Sequence, residues 1–311
     1  ESMNLLYRKT LKHERNAYLK DLHKKLRALK SNDPKEYWKI LNLKVKDKKE
    51  KNTVSISAFE SHFRDLNKKD ALYEHDERED ISFDQYALPS DDNFDFNKPI
   101  CDEEVVCQIN KLKNNKACGI DLILNECLKN SNDALIKVIS KLFNSILDTG
   151  IIPTDWTVGL ICPIYKKKGS PNNPDNYRGI TLLSCIGKLF TSIINNRLSN
   201  FLNENFLIGE EQTGFREGYS TIDHVFVFYS ILDLYLSHKK RIYCAFIDYK
   251  KAFDSIDRTL LWCKLLQQNI RGKLFKVIRN MYANLKSCVV KDSQRSDYFS
   301  CNIGVRQGEN V

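Results

Sequence analysis

The stretch that decides the fold is Ile242-Tyr243-Cys244-Ala245-Phe246-Ile247-Asp248-Tyr249-Lys250-Lys251-Ala252-Phe253-Asp254. Its first six residues are apolar, which predicts a strand over 242–247 that ends at Asp248. A carboxylate on a rigid element is a good ligand for a hard divalent cation, and the Tyr249 carbonyl would supply a second oxygen. Phe253, five residues after Asp248, would project into the same site. Such a site begins a two-metal phosphoryl-transfer centre, but the pattern also fits an aspartate that only ends a strand and begins a turn.

The composition around this stretch is that of a folded, globular protein. The chain has 311 residues, of which 42% are hydrophobic and 29% charged, enough to bury a core of its own. It contains no apolar run near the roughly 18 residues of a membrane span and no secretory signal at its start. Its ten cysteines are scattered singly, without a CxxC pair, which argues against a zinc ribbon and indicates a reducing compartment. We therefore expect an intracellular protein, nuclear or cytoplasmic, that is neither secreted nor inserted in a membrane.

Charge divides the chain into regions. Residues 1–50 hold 15 basic and 7 acidic side chains, residues 51–100 hold 6 and 12, and the remainder holds 28 and 21. The net charge of +9 is compatible with a polyanionic partner. Apolar residues at helical spacing within 5–30 predict a basic amphipathic helix, whose charged face is either merely solvated or bound to nucleic acid. We predict a helical basic region, an acidic linker and a mixed domain, with boundaries at 1–72, 73–97 and 98–311.

Helical and strand periodicities are interleaved beyond residue 98. Because they do not alternate regularly, they indicate an α+β fold rather than a doubly wound parallel sheet. Helices are predicted over 54–70, 101–112, 122–147, 180–202, 222–237, 258–268 and 274–285. Strands are predicted over 158–165, 242–247, 288–291 and 298–302.

Three further segments carry a distinctive mixture of glycine, arginine and polar residues. They are Asn-Tyr-Arg-Gly-Ile-Thr-Leu-Leu-Ser (176–184), Gln-Thr-Gly-Phe-Arg-Glu-Gly-Tyr-Ser-Thr (212–221) and Gly-Val-Arg-Gln-Gly-Glu-Asn (304–310). They resemble the first, second and fourth conserved blocks of the reverse transcriptases of non-LTR (LINE-type) retrotransposons. The Asp248 stretch lies between the segments that resemble the second and the fourth block. It resembles the third block, which is the first metal-binding motif of the palm.

Two segments upstream also resemble this family. Lys-Ala-Cys-Gly-Ile-Asp (116–121) and the segment from Trp156 to Lys167 are similar to its N-terminal extension. The six blocks follow the family's order and cover roughly residues 98–311. Residues 1–97 resemble, only weakly, the linker between endonuclease and polymerase in such elements.

The resemblance implies an enzyme and a set of substrates. It implies a right-hand polymerase fold, with the fingers followed by the start of the palm, that uses two Mg²⁺ ions to extend a DNA primer on an RNA template from deoxynucleoside triphosphates. Asp248 would be the first metal-binding carboxylate, assisted by the Tyr249 carbonyl, and Phe253 would exclude a 2′-hydroxyl. Arg216 and Tyr219 would lie near the template strand.

The resemblance also implies contacts with the incoming nucleotide. Arg178, together with Lys166 or Lys167, would hold the triphosphate, because phosphoryl transfer requires a cationic clamp. Gln307 and Gly308 would lie beside the nucleotide and the template base.

One part of the family's pattern does not occur in the sequence. The palm requires a second pair of carboxylates on a hairpin, and the only Asp-Asp pair, Asp91-Asp92, lies in the acidic linker. We therefore expect a fragment that is truncated before that motif, with an incomplete palm, an incomplete two-metal site and no polymerase activity of its own. Two alternatives stay open: a non-catalytic nucleic-acid-binding remnant of such an element, or an interaction protein whose basic helices bind another protein.

Overall fold

The computed structural model of the protein describes residues 54–68, 83–87 and 95–309, together with selected positions between 9 and 28. The chain forms two compact units, residues 1–52 and residues 53–311. In the first unit, the described positions are helical and exposed, and Lys25 pairs with Asp21, one turn earlier, at 3.2 Å. Most of the predicted acidic linker lies outside the described residues.

The second unit is built, within the described residues, on a mixed five-stranded sheet, which confirms the predicted α+β class. The strands are β1 (Val158–Tyr165), β2 (Tyr177–Leu182), β3 (Lys286–Lys291), β4 (Gln294–Arg295) and β5 (Phe299–Ser300). Strand β1 pairs antiparallel with β2 and parallel with β3, and β3 also pairs antiparallel with β4 and β5. Strands β1 and β2 form a hairpin. Because β1 is paired on both sides, it joins this hairpin to β3 and the rest of the sheet.

Helices lie before, between and after these strands. In this unit they are α1 (Ile56–Leu66), α2 (Asp102–Lys111), α3 (Asn125–Lys129), α4 (Asp133–Thr149), α5 (Thr154–Thr157), α6 (Cys185–Glu204), α7 (Thr221–Ser237), α8 (Arg258–Gln267) and α9 (Gly272–Met281). Side-chain oxygens explain several helix starts, because they accept otherwise unpaired N–H groups. Asn132 accepts from the Leu135 N–H at 3.0 Å, and Ser184 accepts from the Gly187 N–H at 3.1 Å. Helix α4 is followed by the capping residue Gly150, whose φ of 71° is a left-handed conformation that glycine adopts readily.

Aromatic side chains form much of the core between the helices and the sheet. Phe59 of α1, Phe143 of α4 and Phe190 of α6 are completely buried. The rings of Phe143 and Phe190 lie 5.1 Å apart, and the Trp156 ring lies 5.7 Å from Phe190. Phe59 packs edge-on against Tyr177, the first residue of β2, at 4.8 Å. Helix α1 is thereby attached to the β1–β2 hairpin and supports it from one side.

Three predicted elements differ in the structure. The helix predicted over 122–147 is two helices, α3 and α4, because Asn132 caps the start of α4 and separates it from α3. The predicted strand 242–247 is wrong: none of the described strands pairs with it, and Tyr243, Phe246 and Ile247 are 80 to 88% exposed. A strand is stabilised by hydrogen bonds to a neighbouring strand, which an apolar pattern alone does not supply. The predicted helix 180–202 begins later, at Cys185, because residues 177–182 pair with β1.

Helix α7 confirms the helix predicted over 222–237, but it does not contribute to the core. None of its residues is buried, and its apolar Ile222 and Tyr229 are 74% and 66% exposed. The Phe228 ring contacts Phe246 at 5.6 Å, so α7 and the segment 242–247 form one apolar surface. Among the helices that the structure describes, none has both the length and the apolar character needed to cross a bilayer.

Candidate functional site

Three side chains that the resemblance assigns to the triphosphate lie at one end of the β1–β2 hairpin. Lys166 and Lys167 directly follow β1, and Arg178 is the second residue of β2, opposite Ile164. The Lys166 N–H donates to the Asn176 carbonyl at 2.8 Å and closes the hairpin. Arg178 and both lysines are exposed. The hairpin end therefore presents three cationic groups to solvent.

Asp175 connects this hairpin end to the residues that follow Asp248. The Lys166 Nζ donates to the Asp175 backbone carbonyl at 2.8 Å, and the Asp175 carboxylate lies 3.6 Å from the Lys251 Nζ. The same carboxylate lies 3.9 Å from the His62 Nδ1. Burial lowers the pKa of His62 below its ordinary value of 6.5, and Asp175 opposes this change only in part. Since the carboxylate is 62% exposed, the contact with Lys251 positions the turn but contributes under about 1 kcal/mol.

The fourth block is hydrogen-bonded to the turn that contains Phe253. The Gly304 N–H donates to the Ile256 carbonyl at 2.9 Å, and the Val305 N–H donates to the Phe253 carbonyl at 2.8 Å. Gly304 has a φ of 77°, and a Cβ there would lie 2.7 Å from the Asp254 carbonyl oxygen. Only glycine fits this combination of conformation and close approach. The glycine that begins the block thus sets its position against the turn.

The same block also contacts β2. The Thr181 N–H donates to the Gln307 carbonyl at 3.1 Å. Gly308 has a φ of 120°, and a Cβ there would lie 2.8 Å from the Thr181 carbonyl oxygen. Gln307 lines a small cavity of about 30 Å³ together with Gly179 and Asp254. The structure therefore brings the Phe253 turn and Gln307-Gly308 together, and places both against β2 of the hairpin.

Arg258 is a positioning residue that the sequence analysis missed. Its guanidinium donates to the carbonyls of Cys301 and Gly304 at 2.9 Å each, and to those of Ile303 and Tyr282 at 3.2 Å each. It thereby anchors the backbone that leads into the fourth block. The sequence contained one signal for this role. Arg258 is the first residue of α8, where a cation is unfavourable because it faces the positive end of the helix dipole. An arginine at that position therefore indicates that its side chain makes a stabilising contact elsewhere.

Asp254 is a half-buried carboxylate within this assembly. Burial raises its pKa above the ordinary value of 3.8, and the charges of Lys251 and Lys166 offset part of the increase. A carboxyl group whose pKa is raised in the folded state binds a proton more strongly there than in the unfolded state. Asp254 therefore makes the folded state progressively less stable as the pH rises from 3.8 through its folded pKa.

Replacing Asp254 with asparagine is expected to increase the free energy of unfolding at pH 7, because no charge then has to be kept in a partly buried position. The gain is expected to be small near pH 3.8, to grow with pH and to level off above the folded pKa. Urea unfolding of both proteins between pH 3.5 and 8 measures it. A variant that is less stable than the wild type at pH 7 would show that the Asp254 carboxylate makes a stabilising contact instead.

Asp248 and Tyr249 lie in the exposed segment after α7 rather than on a paired strand. In the part of the chain that the structure describes, no group of three or more His, Cys, Asp and Glu side chains is placed to hold a metal ion. Magnesium requires near-octahedral oxygen ligation, which one carboxylate and one carbonyl do not supply. The described residues therefore do not form the two-metal site that the resemblance implies.

Arg216 and Tyr219 stabilise the loop between α6 and α7. The Arg216 guanidinium donates to the carbonyls of Gly209 and Gln212 at 3.1 and 3.3 Å and lies 4.6 Å from the centre of the Tyr219 ring. The Tyr219 hydroxyl donates to Glu210 Oε2 at 2.8 Å. Both side chains thus hold the conformation of the loop, and their contact with a template stays a prediction.

Comparison with known proteins identifies the domain to which these residues belong. The model of the reverse transcriptase (RNA-dependent DNA polymerase) family matches residues 165–311. The chain is 33% identical over 159 residues (51% of the chain) to a probable RNA-directed DNA polymerase from transposon BS of Drosophila melanogaster, of which it covers 18%. It is 31% identical over 208 residues (66% of the chain) to the corresponding protein of transposon X-element of the same species, of which it covers 22%.

A third relative extends the similarity upstream. The chain is 30% identical over 224 residues (72% of the chain) to the RNA-directed DNA polymerase from mobile element jockey of Drosophila funebris, of which it covers 24%. The chain thus spans less than a quarter of the length of each of these relatives. The matched residues include the cationic hairpin end, the Asp248 stretch and the fourth block. Residues 165–311 are therefore a reverse transcriptase domain of the kind found in the LINE-type, non-LTR retrotransposons.

Proposed function

We propose that residues 98–311 form the fingers and the first part of the palm of an RNA-directed DNA polymerase. The observation that carries this proposal is the convergence of the Phe253 turn and Gln307-Gly308 on each other and on β2 of the hairpin. These segments are far apart in the sequence and resemble the first, third and fourth blocks of the family. In this function an RNA template directs the extension of a DNA primer by deoxynucleoside triphosphates.

The hairpin end has the chemistry needed to bind a triphosphate. Arg178 and the two lysines after β1 place positive charge where a transferring phosphoryl group needs it. Phe253 is 38% exposed, and its ring would leave no room for a 2′-hydroxyl on the incoming sugar. Gln307 and Gly308, held against β2, would lie beside the nucleotide and the template base.

We further propose that Asp248 supplies one ligand to a Mg²⁺ site that residues 1–311 do not complete. The exposed apolar surface formed by α7 and residues 242–247 supports an incomplete palm, since such surfaces are normally covered. A polypeptide of these 311 residues is therefore expected to bind nucleic acid without polymerising nucleotides. Binding without catalysis in any longer form would favour the alternative, a non-catalytic remnant.

Purified residues 1–311 are expected to extend a DNA primer on an RNA template no faster than the Asp248→Ala variant does. If the coding sequence continues into an Asp-Asp hairpin, the longer polypeptide is expected to extend the primer and to lose this activity on Asp248→Ala. Asp233→Ala, which removes an exposed carboxylate from α7, is the matched control and should leave extension unchanged. Extension by residues 1–311 that disappears with Asp248→Ala would contradict the proposed incompleteness.

A further inference from the structure

The Asp175 carboxylate joins three segments that are distant in sequence and meet at the hairpin end. It lies 3.9 Å from the His62 Nδ1 on α1 and 3.6 Å from the Lys251 Nζ. The Lys251 carbonyl accepts from the Asp254 N–H at 2.9 Å, so this lysine belongs to the turn that contains Phe253. One carboxylate is thus shared between an imidazole and an ammonium group.

Packing holds the His62 ring beside this carboxylate. Helix α1 precedes the residues that match the family model, and the proposed chemistry assigns it no role. The His62 side chain is only 16% exposed, and its ring packs edge-on against that of Phe63 at 5.1 Å. Phe63 is buried against Gly179 of β2, where a Cβ would lie 2.7 Å from the ring. Because α1 is fixed against β2 in this way, the imidazole stays beside the hairpin end whether or not it is protonated.

Charged groups from several elements face the His62 ring. They are Asp175 before β2, Lys166 after β1, Lys251 in the Phe253 turn and Asp65 on α1 itself. Strand β3 also packs against α1, but its Lys291 donates to the Val54 carbonyl. Burial is the largest cause that lowers the pKa of His62; the two carboxylates raise it and the two lysines lower it. An anion that binds both lysines would therefore remove the repulsion that they exert on a protonated ring.

The contact between Asp175 and Lys251 is one that a bound anion can replace. The Asp175 side chain is 62% exposed and that of Lys251 is 31% exposed, and an ion pair with this exposure is weak. A triphosphate carries several negative charges, so it attracts the ammonium group more strongly than a single carboxylate does. Once Lys251 turns to the triphosphate, the Asp175 carboxylate is left to His62.

We propose that the His62 ring takes up a proton when a nucleoside triphosphate binds at the hairpin end. The triphosphate binds Lys166 and Lys251, the Asp175 carboxylate is released from Lys251, and the imidazolium takes the place of the ammonium group beside it. The proton comes from the solvent, and the N–H at Nδ1 then faces Asp175. This inference rests on the proposed function, because it requires the triphosphate to bind at the hairpin end.

Proton uptake makes triphosphate binding depend on pH. A ring that holds its proton more tightly in the complex than in the free protein makes binding stronger at low pH, since the coupling is reciprocal. The gain in affinity is complete below the pKa of the ring in the free protein, and it is lost as the pH rises through the pKa in the complex. One linked proton changes the affinity by at most about tenfold per pH unit.

Binding of dTTP to residues 1–311 tests this inference, measured at constant ionic strength from about pH 5.5 to about pH 8. Because dTTP also titrates in this range, each wild-type affinity is divided by that of His62→Gln, whose amide cannot become charged. The ratio should fall by about 3- to 10-fold across the range, since a change of one in a linked pKa corresponds to about tenfold in affinity. His238→Gln removes an exposed imidazole directly after α7 and is the matched control; its ratio to wild type should not change with pH.

Two further measurements do not depend on the folding of His62→Gln. Asp175→Asn keeps the backbone carbonyl that accepts from Lys166 but removes the counter-charge, so it should lose most of the pH dependence that distinguishes wild type from His62→Gln. In the wild-type protein, NMR of the ring protons of the six histidines should show one ring whose titration moves to higher pH when dTTP is added. That resonance should be the one missing from His62→Gln.

The outcomes distinguish this inference from the proposed function. If dTTP binding is weakened by Arg178→Gln but no histidine titration moves on binding, or the affinity ratio stays level with pH, the inference is overturned and the proposed triphosphate site stands. A pH dependence that persists in full in Asp175→Asn would also overturn it, because the shared carboxylate would then have no part. Binding of dTTP that is indifferent to Arg178→Gln would overturn the triphosphate site at the hairpin end, and the inference with it.

Discussion

Replacing Arg197 with alanine is expected to lower the free energy of unfolding by about 3–5 kcal/mol, the usual cost of removing one partner of a buried ion pair. The Arg197 side chain is 9% exposed, and its Nε and Nη2 donate to the two Glu104 carboxylate oxygens at 2.8 and 2.6 Å. It also donates to the carbonyls of Phe96 and Pro99 at 3.3 and 3.0 Å. Without it, a partly buried carboxylate and several backbone carbonyls lose their donor together. Urea unfolding at pH 7 measures the change.

The free energy of unfolding that is lost on Arg197→Ala should depend on pH, because it depends on the charge of Glu104. Burial raises the pKa of Glu104, but the hydrogen bonds and charge of Arg197 outweigh burial, and the net pKa lies below its ordinary 4.5. The stability that this carboxylate contributes is therefore complete above pH 4.5 and is lost as the pH falls through the folded pKa. The difference between wild type and Glu104→Gln should shrink in that range.

Arg64→Ala is the matched control for Arg197→Ala. Arg64 pairs with Glu60 within α1, and its side chain is 42% exposed, so the change should cost no more than about 0.5 kcal/mol. Similar losses at the two arginines would show that the buried network around Arg197 is not a special source of stability.

Replacing Arg306 with alanine is expected to have a comparable effect, about 3–5 kcal/mol, and to loosen the fourth block. The side chains of Arg306 and Glu309 are 8% and 3% exposed, with 2.5 Å between Nη2 and Oε2. Arg306 Nη1 also donates to the Trp156 carbonyl at 2.8 Å, and the Thr191 hydroxyl donates to Glu309 Oε1 at 2.8 Å. The truncation would leave the Glu309 carboxylate buried without its counter-charge. The midpoint and slope of urea unfolding give the result.

A double variant separates the pair from its surroundings. Arg306→Met with Glu309→Leu removes both charges while keeping apolar volume, and such exchanges are often neutral or stabilising. We expect it to recover most of the stability that Arg306→Ala loses. A double variant as unstable as Arg306→Ala would mean that the contacts to Trp156 and Thr191, and not the unpaired charge, cause the loss.

The candidate site was predictable where its chemistry follows from neighbouring residues. The apolar run Val158–Tyr165 predicted β1. The lysines that follow it were assigned to the triphosphate by resemblance, and the hairpin that β1 forms with β2 was not predicted. Arg178, Phe253 and Gln307 were assigned by resemblance, and the structure brings their segments together. Arg258 and Asp254 were missed because their roles depend on carbonyls and lysines that are distant in sequence.

By itself, the sequence determined the α+β class, most helices, β1 and membership of the reverse transcriptase family. These depend on apolar periodicity, capping residues and local blocks, which are properties of consecutive residues. Only the tertiary structure decided that residues 177–182 extend as β2, that 242–247 has no paired strand among those described, and that Arg197 is buried against Glu104, 93 residues away. The reason is that strand pairing and burial of charge draw their free energy from partners in space, which the order of residues along the chain does not specify.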